Sequence, residues 1–345
     1  MAVSAQSIAV ALGGGGARGL AHLGVLEILE DEGILPAFLS GTSIGGLIAA
    51  LRASGTDADD ITAMARRFRL PGRFLPGRML DWDRIFASAV PLLRGKNFED
   101  LVVPLVVSAV DLMSGEEIAL NSGPLLPAVR ATCAVPGVFP PERIGTHCLV
   151  DGGVTNILPV NLAWARDPDI VIAVNIVAAP PPTLRLDSTY GRIASALGRW
   201  MPNPVTAFLA YEVAMRSVEI ALDRQRAMAV AMTGPEVLID VNLSHVSISD
   251  FHRFDEIVEA GREATRRALP QIRTAMATPM ASGERATADA TLHIDPVCRM
   301  TVSTTRARAT CEHNGNVFYF CSTNCRDIFV LHAERFTHPG NVRPV

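Results

Sequence analysis

Ser43 stands in Gly41-Thr42-Ser43-Ile44-Gly45, a serine with a glycine two residues to either side. The apolar run Ala37 to Leu39 precedes it, and a small apolar stretch, Ile44 to Ala53, follows with no helix breaker after Gly46. Strand, tight turn and helix is the setting in which Gly-x-Ser-x-Gly forms a nucleophile elbow. The glycines let the turn close, and the helix N-terminus aims its N–H groups at the hydroxyl. The same pentapeptide also makes an ordinary turn, so a second feature must decide. Gly13-Gly14-Gly15-Gly16-Ala17-Arg18-Gly19 supplies it, lying between the apolar Ile8 to Leu12 and a helical pattern, Leu20 to Glu32, that Gly33 stops. Strand, glycine loop, helix, strand, elbow and helix make a βαβα unit with parallel strands and a right-handed crossover. Both loops are then expected at the carboxyl ends of neighbouring strands. That places the N–H groups of Gly14, Gly15 and Gly16 beside the Ser43 hydroxyl, as an oxyanion hole for acyl transfer requires.

Rival chemistries fit less well. Gly14, Gly16 and Gly19 match the dinucleotide fingerprint, but that fingerprint needs an acidic residue where the second strand ends, and Phe38-Leu39-Ser40 has none. A phosphate-binding Gly-Lys-Ser/Thr is also absent. For a Ser-His-Asp triad, His22, His147, His245 and His252 are available in the main domain. His22 lies one turn into the glycine-loop helix, where packing or a backbone hydrogen bond is the expected role. His147 precedes Asp151 on a strand candidate, and the other two fall in polar loops.

GGGGARGLAHLGVLEILEDEGI followed by GTSIGG, then AVPGVFPP and LVDGGVTNILPV in that order, resembles the patatin-like phospholipase family. The likeness is close over Ile8 to Ile176 and continues loosely to about residue 275. It implies a three-layer α/β/α hydrolase with a mostly parallel central sheet. It also implies a Ser–Asp dyad, Ser43 as nucleophile and Asp151 as base, with Arg18 supporting the oxyanion beside the glycine loop. The residues are compatible: His147 to Val150 reads as a strand ending at Asp151, and Gly152-Gly153 lets the chain turn there. A carboxylate is a weak base for a hydroxyl, so burial must raise its pKa or proton transfer must be concerted with attack. Asp-Gly is also common in plain turns, and without the resemblance that reading stands level.

A chain of 345 residues suits one large domain and a small one, and 49% apolar content supplies a sizeable core. Net charge of −4 argues against nucleic acid as the main partner. MAVSAQSIAVALGGGG has no basic n-region and too short an apolar run for a signal peptide or membrane span. A cytoplasmic protein with reduced thiols is expected. Arg66, Arg67, Arg69, Arg73, Arg78, Arg84, Arg94 and Lys96 face only Asp81 and Asp83, among Phe68, Phe74, Leu75, Met79, Leu80, Trp82 and Phe86. This could touch an anionic lipid surface, but a solvated cap with core anchors is preferred. Phe208, Tyr211, Met215, Val218 and Leu222 form a helical apolar stripe, read as a helix covering the core rather than a membrane-facing lid.

After the small and polar residues 277–290, read as a linker, composition changes. Cys298, Cys321 and Cys325 are spaced C-x22-C-x3-C, and Asn314-Gly315 marks a hairpin turn. HIDPVCRM and FYFCSTNCRDIF resemble the YHS domain, a small treble-clef-like metal-binding module, with Arg299 departing from the usual glycine. Three thiolates suit zinc or another soft metal, and so short a module needs a staple to fold. A hairpin turning on Asn314-Gly315 would pair Cys311 with Phe318 and face it away from Cys321. Asp295, His313, His332 or water remain as a fourth ligand, while Cys133 and Cys148 read as core thiols.

The expected organisation is a hydrolase domain over residues 1–276, a linker over 277–290 and a metal module over 291–340. The expected function is hydrolysis of lipid acyl esters with no catalytic cofactor, in the cytoplasm or peripherally at a membrane. Small-ester or thioester hydrolysis, and a metal sensor with a vestigial hydrolase domain, are the alternatives.

Overall fold

The computed structural model describes residues 6–68, 79–177, 204–277, 291–297, 301–304 and 307–337. In chain order, β1 (Ile8–Leu12) leads through a 3-10 turn, Gly16–Leu20, into α1 (Ala21–Asp31), followed by β2 (Phe38–Thr42) and α2 (Ile44–Ala53). Then come β3 (Leu105–Asp111), β4 (Glu117–Leu120), α3 (Leu125–Thr132), β5 (Glu142–Ile144) and β6 (His147–Asp151). β7 (Ile170–Val177), α4 (Pro204–Thr233), β8 (Val237–Asn242) and α5 (Phe254–Ala277) complete the larger unit.

The eight strands form one sheet in the order β5-β6-β3-β2-β1-β7-β8, with β4 also paired to β3. From β3 to β8 the strands run parallel, as the βαβα reading requires. Every residue of β1, β2 and β3 is buried, and apart from Asp111 at the end of β3 these strands are apolar or small rather than alternating. One face carries the main core, where Val10, Leu12, Leu39 and Val174 pack with α1, α2 and α5. The other face, from Ala9, Ala11, Val106 and Ala173, is covered by Ile157 to Trp164 and by Leu222 and Ala229 of α4. The result is the three-layer α/β/α arrangement expected from the sequence.

β4, β5 and β6 run antiparallel, and this decides where β6 ends. Val107 and Ser108 pair with β2 on one edge and β4 on the other. Ala109 and Val110 keep β4 on that second edge, so their first edge is taken by β6. β2 and β6 therefore abut end to end along the same side of β3, their carboxyl termini facing each other.

The basic and aromatic stretch behaves as a cap with core anchors in its described part. Phe68, Trp82 and Phe86 are buried together, with Phe68 edge-on to Phe86 at a centroid separation of 4.8 Å. Arg66 pairs with Asp255. Residues 69–78 lie outside the described residues. Along α4, Val218 is exposed and Leu222 half-buried, and the side chains of Phe208, Tyr211 and Met215 lie outside the described ones. Among the described residues no helix is long and apolar enough to cross a membrane.

The C-terminal module has its own small core. β9 (Leu292–Ile294) pairs with β10 (Thr301–Ser303), and β11 (Ala309–His313) with β12 (Asn316–Phe320), before α6 (Thr323–Leu331). Asn314 and Gly315 both have positive φ, 51° and 74°, the type I′ turn that matches strand twist. Cys311 pairs with Phe318, as the turn placement requires.

Candidate active site and candidate metal centre

Ser43 follows the last residue of β2 and caps α2, with φ 56° and ψ −129°. A non-glycine residue there carries strain of ~1–3 kcal/mol, tolerated only where the surroundings enforce it. They do so through both flanking glycines. A Cβ on Gly41 would lie 2.6 Å from the Gly46 Cα, and one on Gly45 would lie 2.3 Å from the Leu12 carbonyl oxygen. The Ser43 N–H donates to Thr132 Oγ1 at 2.9 Å, and that hydroxyl donates to the Ser108 carbonyl at 2.6 Å. The elbow is thus pinned to α3 and β3 at once.

The glycine loop lies against it. A Cβ built on Gly14 would stand 3.3 Å from the Ser43 Cβ. One expectation needs correction here: the Gly14 N–H is not free, because it donates to the Ile157 carbonyl at 2.8 Å. Among the described residues the Gly15 and Gly16 N–H groups have no such partner. The Gly13 carbonyl accepts from His22 Nε2 at 2.7 Å. Burial lowers the His22 pKa to about 4, so the imidazole is neutral at pH 7 and braces the loop. Arg18 is buried, with Nε donating to the Val246 carbonyl at 2.5 Å and Nη2 to Glu219 at 3.2 Å.

Asp151 ends β6 at 5% exposure. Its Oδ1 accepts from the Gly153 N–H at 2.8 Å, while Oδ2 is buried without a partner at hydrogen-bond geometry among the described residues. Burial raises its pKa to about 6, against the opposing pull of the Ser43 hydroxyl as a nearby donor and of the Gly153 N–H. Gly152 is required by close approach, since a Cβ there would meet the Ser108 carbonyl oxygen at 2.4 Å. Elsewhere, His147 Nδ1 sits 3.0 Å from Asp111, and His245 Nε2 sits 2.8 Å from Glu256.

Sequence reasoning missed α4 as part of this site. Its Arg226 is buried, reaching the Gly14 carbonyl at 3.4 Å and pairing with Asp223. Gln225 donates to the Val154 carbonyl at 2.8 Å, and Glu219 meets Arg18. Glu219, Leu222 and Arg226 recur at helical spacing, a mixed polar face that a search for apolar periodicity passes over. Glu117 and Asn156 were also missed: both are buried and hydrogen-bonded to each other at 2.6 Å.

In the C-terminal module, ligand atoms of Asp295, Cys321 and Cys325 lie within 4.8 Å of one another, all buried. The two sulfurs are 3.7 Å apart, too far for a disulfide. Asp295 Oδ2 accepts from the Cys321 N–H at 2.9 Å, which fixes the carboxylate beside the thiol. Two thiols and a carboxylate are a donor set that fits zinc. Cys298 lies outside the described residues; Cys311, His313 and His332 are not in the cluster.

Residues 10–164 match the family model for patatin-like phospholipase, and residues 293–339 match that for the YHS domain. An uncharacterized NTE family protein of Mycobacterium tuberculosis is 31% identical over 298 residues, covering 77% of this chain and 47% of that protein. Lysophospholipase NTE1 of Pyricularia oryzae is 29% identical over 297 residues, covering 80% of this chain and 19% of that one. The chain thus spans about half the length, or less, of these curated relatives. Of solved structures, VipD from Legionella pneumophila has a TM-score of 0.44 at 12% identity, over 78% of this chain and 67% of that one.

Proposed function

For a chain with a patatin-like phospholipase domain at residues 10–164 and a YHS domain at residues 293–339, we propose serine-dependent hydrolysis of lipid acyl esters, of the phospholipase or lysophospholipase type. The observation that carries this reading is the buried Asp151 carboxyl, which has the Ser43 hydroxyl as a neighbouring donor and is held at a pKa of about 6. Such a carboxylate is ionised at neutral pH yet basic enough to accept a proton.

Ser43 Oγ attacks the ester carbonyl carbon as its proton passes to Asp151. The oxyanion is received by the Gly15 and Gly16 N–H groups, with the first turn of α2 adding its dipole. Collapse breaks the ester C–O bond, and protonated Asp151 returns its proton to the departing alkoxide. Water then gives a proton to Asp151 and attacks the acyl-enzyme, releasing the fatty acid and restoring the Ser43 hydroxyl. Arg18 acts by holding the glycine loop to Val246 and Glu219.

The YHS domain would hold zinc or another soft metal through Cys321, Cys325 and Asp295, with Cys298 as a further thiolate. A metal held there would staple the module, with no step of ester cleavage assigned to it. A fluorophosphonate probe tests the proposal: wild type should be labelled, Ser43→Ala not at all, and Asp151→Asn far more slowly. Absence of labelling in wild type would favour a metal-sensing protein with a vestigial hydrolase fold. Vesicles of phosphatidylcholine against short p-nitrophenyl esters separate lipid hydrolysis from small-ester hydrolysis.

A further inference from the structure

Glu117 opens β4 at 3% exposure, and no basic side chain pairs with it among the described residues. Four neutral donors meet its two oxygens. Oε1 accepts from Ser108 Oγ at 2.8 Å and Asn156 Nδ2 at 2.6 Å; Oε2 accepts from Asn161 Nδ2 at 3.0 Å and the Thr301 N–H at 3.3 Å. A buried carboxylate compensated only by neutral donors is expensive to maintain and badly hurt by loss of any one of them.

The donors come from two parts of the chain, the sheet domain and the C-terminal module. Ser108 lies on β3 beside Ala109, the residue that pairs with Asp151, and its carbonyl receives the Thr132 hydroxyl that anchors the Ser43 N–H. Asn156 closes the turn after Asp151: its N–H donates to the Gly152 carbonyl at 2.8 Å, and its carbonyl receives the Thr42 hydroxyl at 2.9 Å. Thr301 belongs to the C-terminal module, where it pairs with Ile294, the neighbour of Asp295. The main chain of Thr301 is held at both ends, since its carbonyl also accepts from Asn161 Nδ2 at 3.0 Å.

We propose that Glu117 is a positioning residue that ties the docked C-terminal module to the turn that follows Asp151, so that seating of the module sets the geometry of the acid. The proposal rests on the assignment of Asp151 as the base. Its test is chosen so that the two can fail separately. Every link is a side chain or backbone group already buried, so a shift of β10 reaches the Asp151 turn through Asn156 and Asn161 without crossing solvent. Glutamine at this position keeps the shape but turns one acceptor into a donor that faces existing donors.

Amide hydrogen exchange of the full-length protein, wild type against Glu117→Gln, reads the coupling directly. Peptides covering residues 151–163 and peptides covering residues 291–304 should both exchange about fivefold faster in the variant, while β7 peptides stay unchanged. An unchanged 151–163 segment overturns the proposal, and so does uniform acceleration that includes β7. Asn161→Ala, which removes one donor from the same knot, should give the same paired signature and serves if Glu117→Gln does not fold. In ester hydrolysis, kcat should fall about tenfold at unchanged KM; an unchanged kcat, or a change in KM alone, overturns the positioning role. A wild type inactive on every ester would sink the hydrolase assignment, while the exchange data would still judge Glu117.

Discussion

Thr42 and Asp151 are registered against consecutive residues of one strand edge: Thr42 pairs with Ser108, and Asp151 with Ala109. Because β2 arrives parallel to β3 and β6 arrives antiparallel, the carboxyl end of β2, which Ser43 follows, is brought against the carboxyl end of β6, where Asp151 stands. Backbone hydrogen bonding, not a flexible side chain, therefore fixes the spacing of the candidate dyad. Sites held by strands in this way keep their geometry more tightly than sites held by loops.

Asp151→Asn keeps an acceptor for the Gly153 N–H but cannot take a proton from Ser43. A steady-state ester assay should show kcat lowered by roughly 10²–10⁴-fold, the range for loss of a general base. Circular dichroism should show the fold intact. Retention of wild-type kcat would assign the base elsewhere.

The pH dependence follows from the same carboxyl. Its folded pKa, raised by burial from 3.8 to about 6, exceeds its unfolded value, so the protonated form favours the folded state. The contribution to stability is fully present below the unfolded pKa and is lost as pH rises through about 6. A rise of that size is worth ~3 kcal/mol. Urea unfolding at stepped pH should show that loss in wild type and not in Asp151→Asn. Activity should run the opposite way, kcat/KM rising with pH through the same region.

Gly45→Ala would place a methyl 2.3 Å from the Leu12 carbonyl oxygen and 2.7 Å from the Gly13 carbonyl oxygen, both backbone atoms. The elbow and the glycine loop cannot both stay in place. Fluorophosphonate labelling should disappear, and thermal unfolding should show destabilisation of ~1–3 kcal/mol, as for overpacking in a core.

His22, neutral at pH 7 and bonded to the Gly13 carbonyl, is the histidine nearest the glycine loop in sequence. His22→Gln keeps an N–H that can reach the same carbonyl. Its kcat should remain within about threefold of wild type, because no proton passes through the ring. A collapse in kcat with the fold intact would revive a histidine-dependent mechanism.

Metal content of the purified full-length chain, read by mass spectrometry, should be about one zinc per molecule. Cys321→Ser should abolish it. Full retention in that variant would remove Cys321 from the ligand set.

Much of the site was legible because its chemistry is local. The elbow, the glycine loop and the Asp-Gly-Gly turn each sit within a few residues, where glycine is demanded by close backbone approach. The hairpin on Asn314-Gly315 fixed the register of Cys311 for the same reason. What escaped was long-range. That the Gly14 N–H is engaged depends on Ile157, far along the chain. Glu117, in the polar stretch Ser114-Gly115-Glu116-Glu117, looks like any solvated carboxylate until Asn156, Asn161 and Thr301 close over it. α4 was found as a helix, but its inward face carries Glu219 and Arg226, and Val218 of the expected apolar stripe points to solvent.

The same helix has a mechanical corollary. Met232, near its end, packs into the core of the C-terminal module, and Arg226, six residues earlier, rests on the Gly14 carbonyl. Six residues of α-helix span ~9 Å, short enough to behave as a stiff shaft. Repacking of the small core around Met232 would therefore act on the same short shaft whose Arg226 rests against the glycine loop.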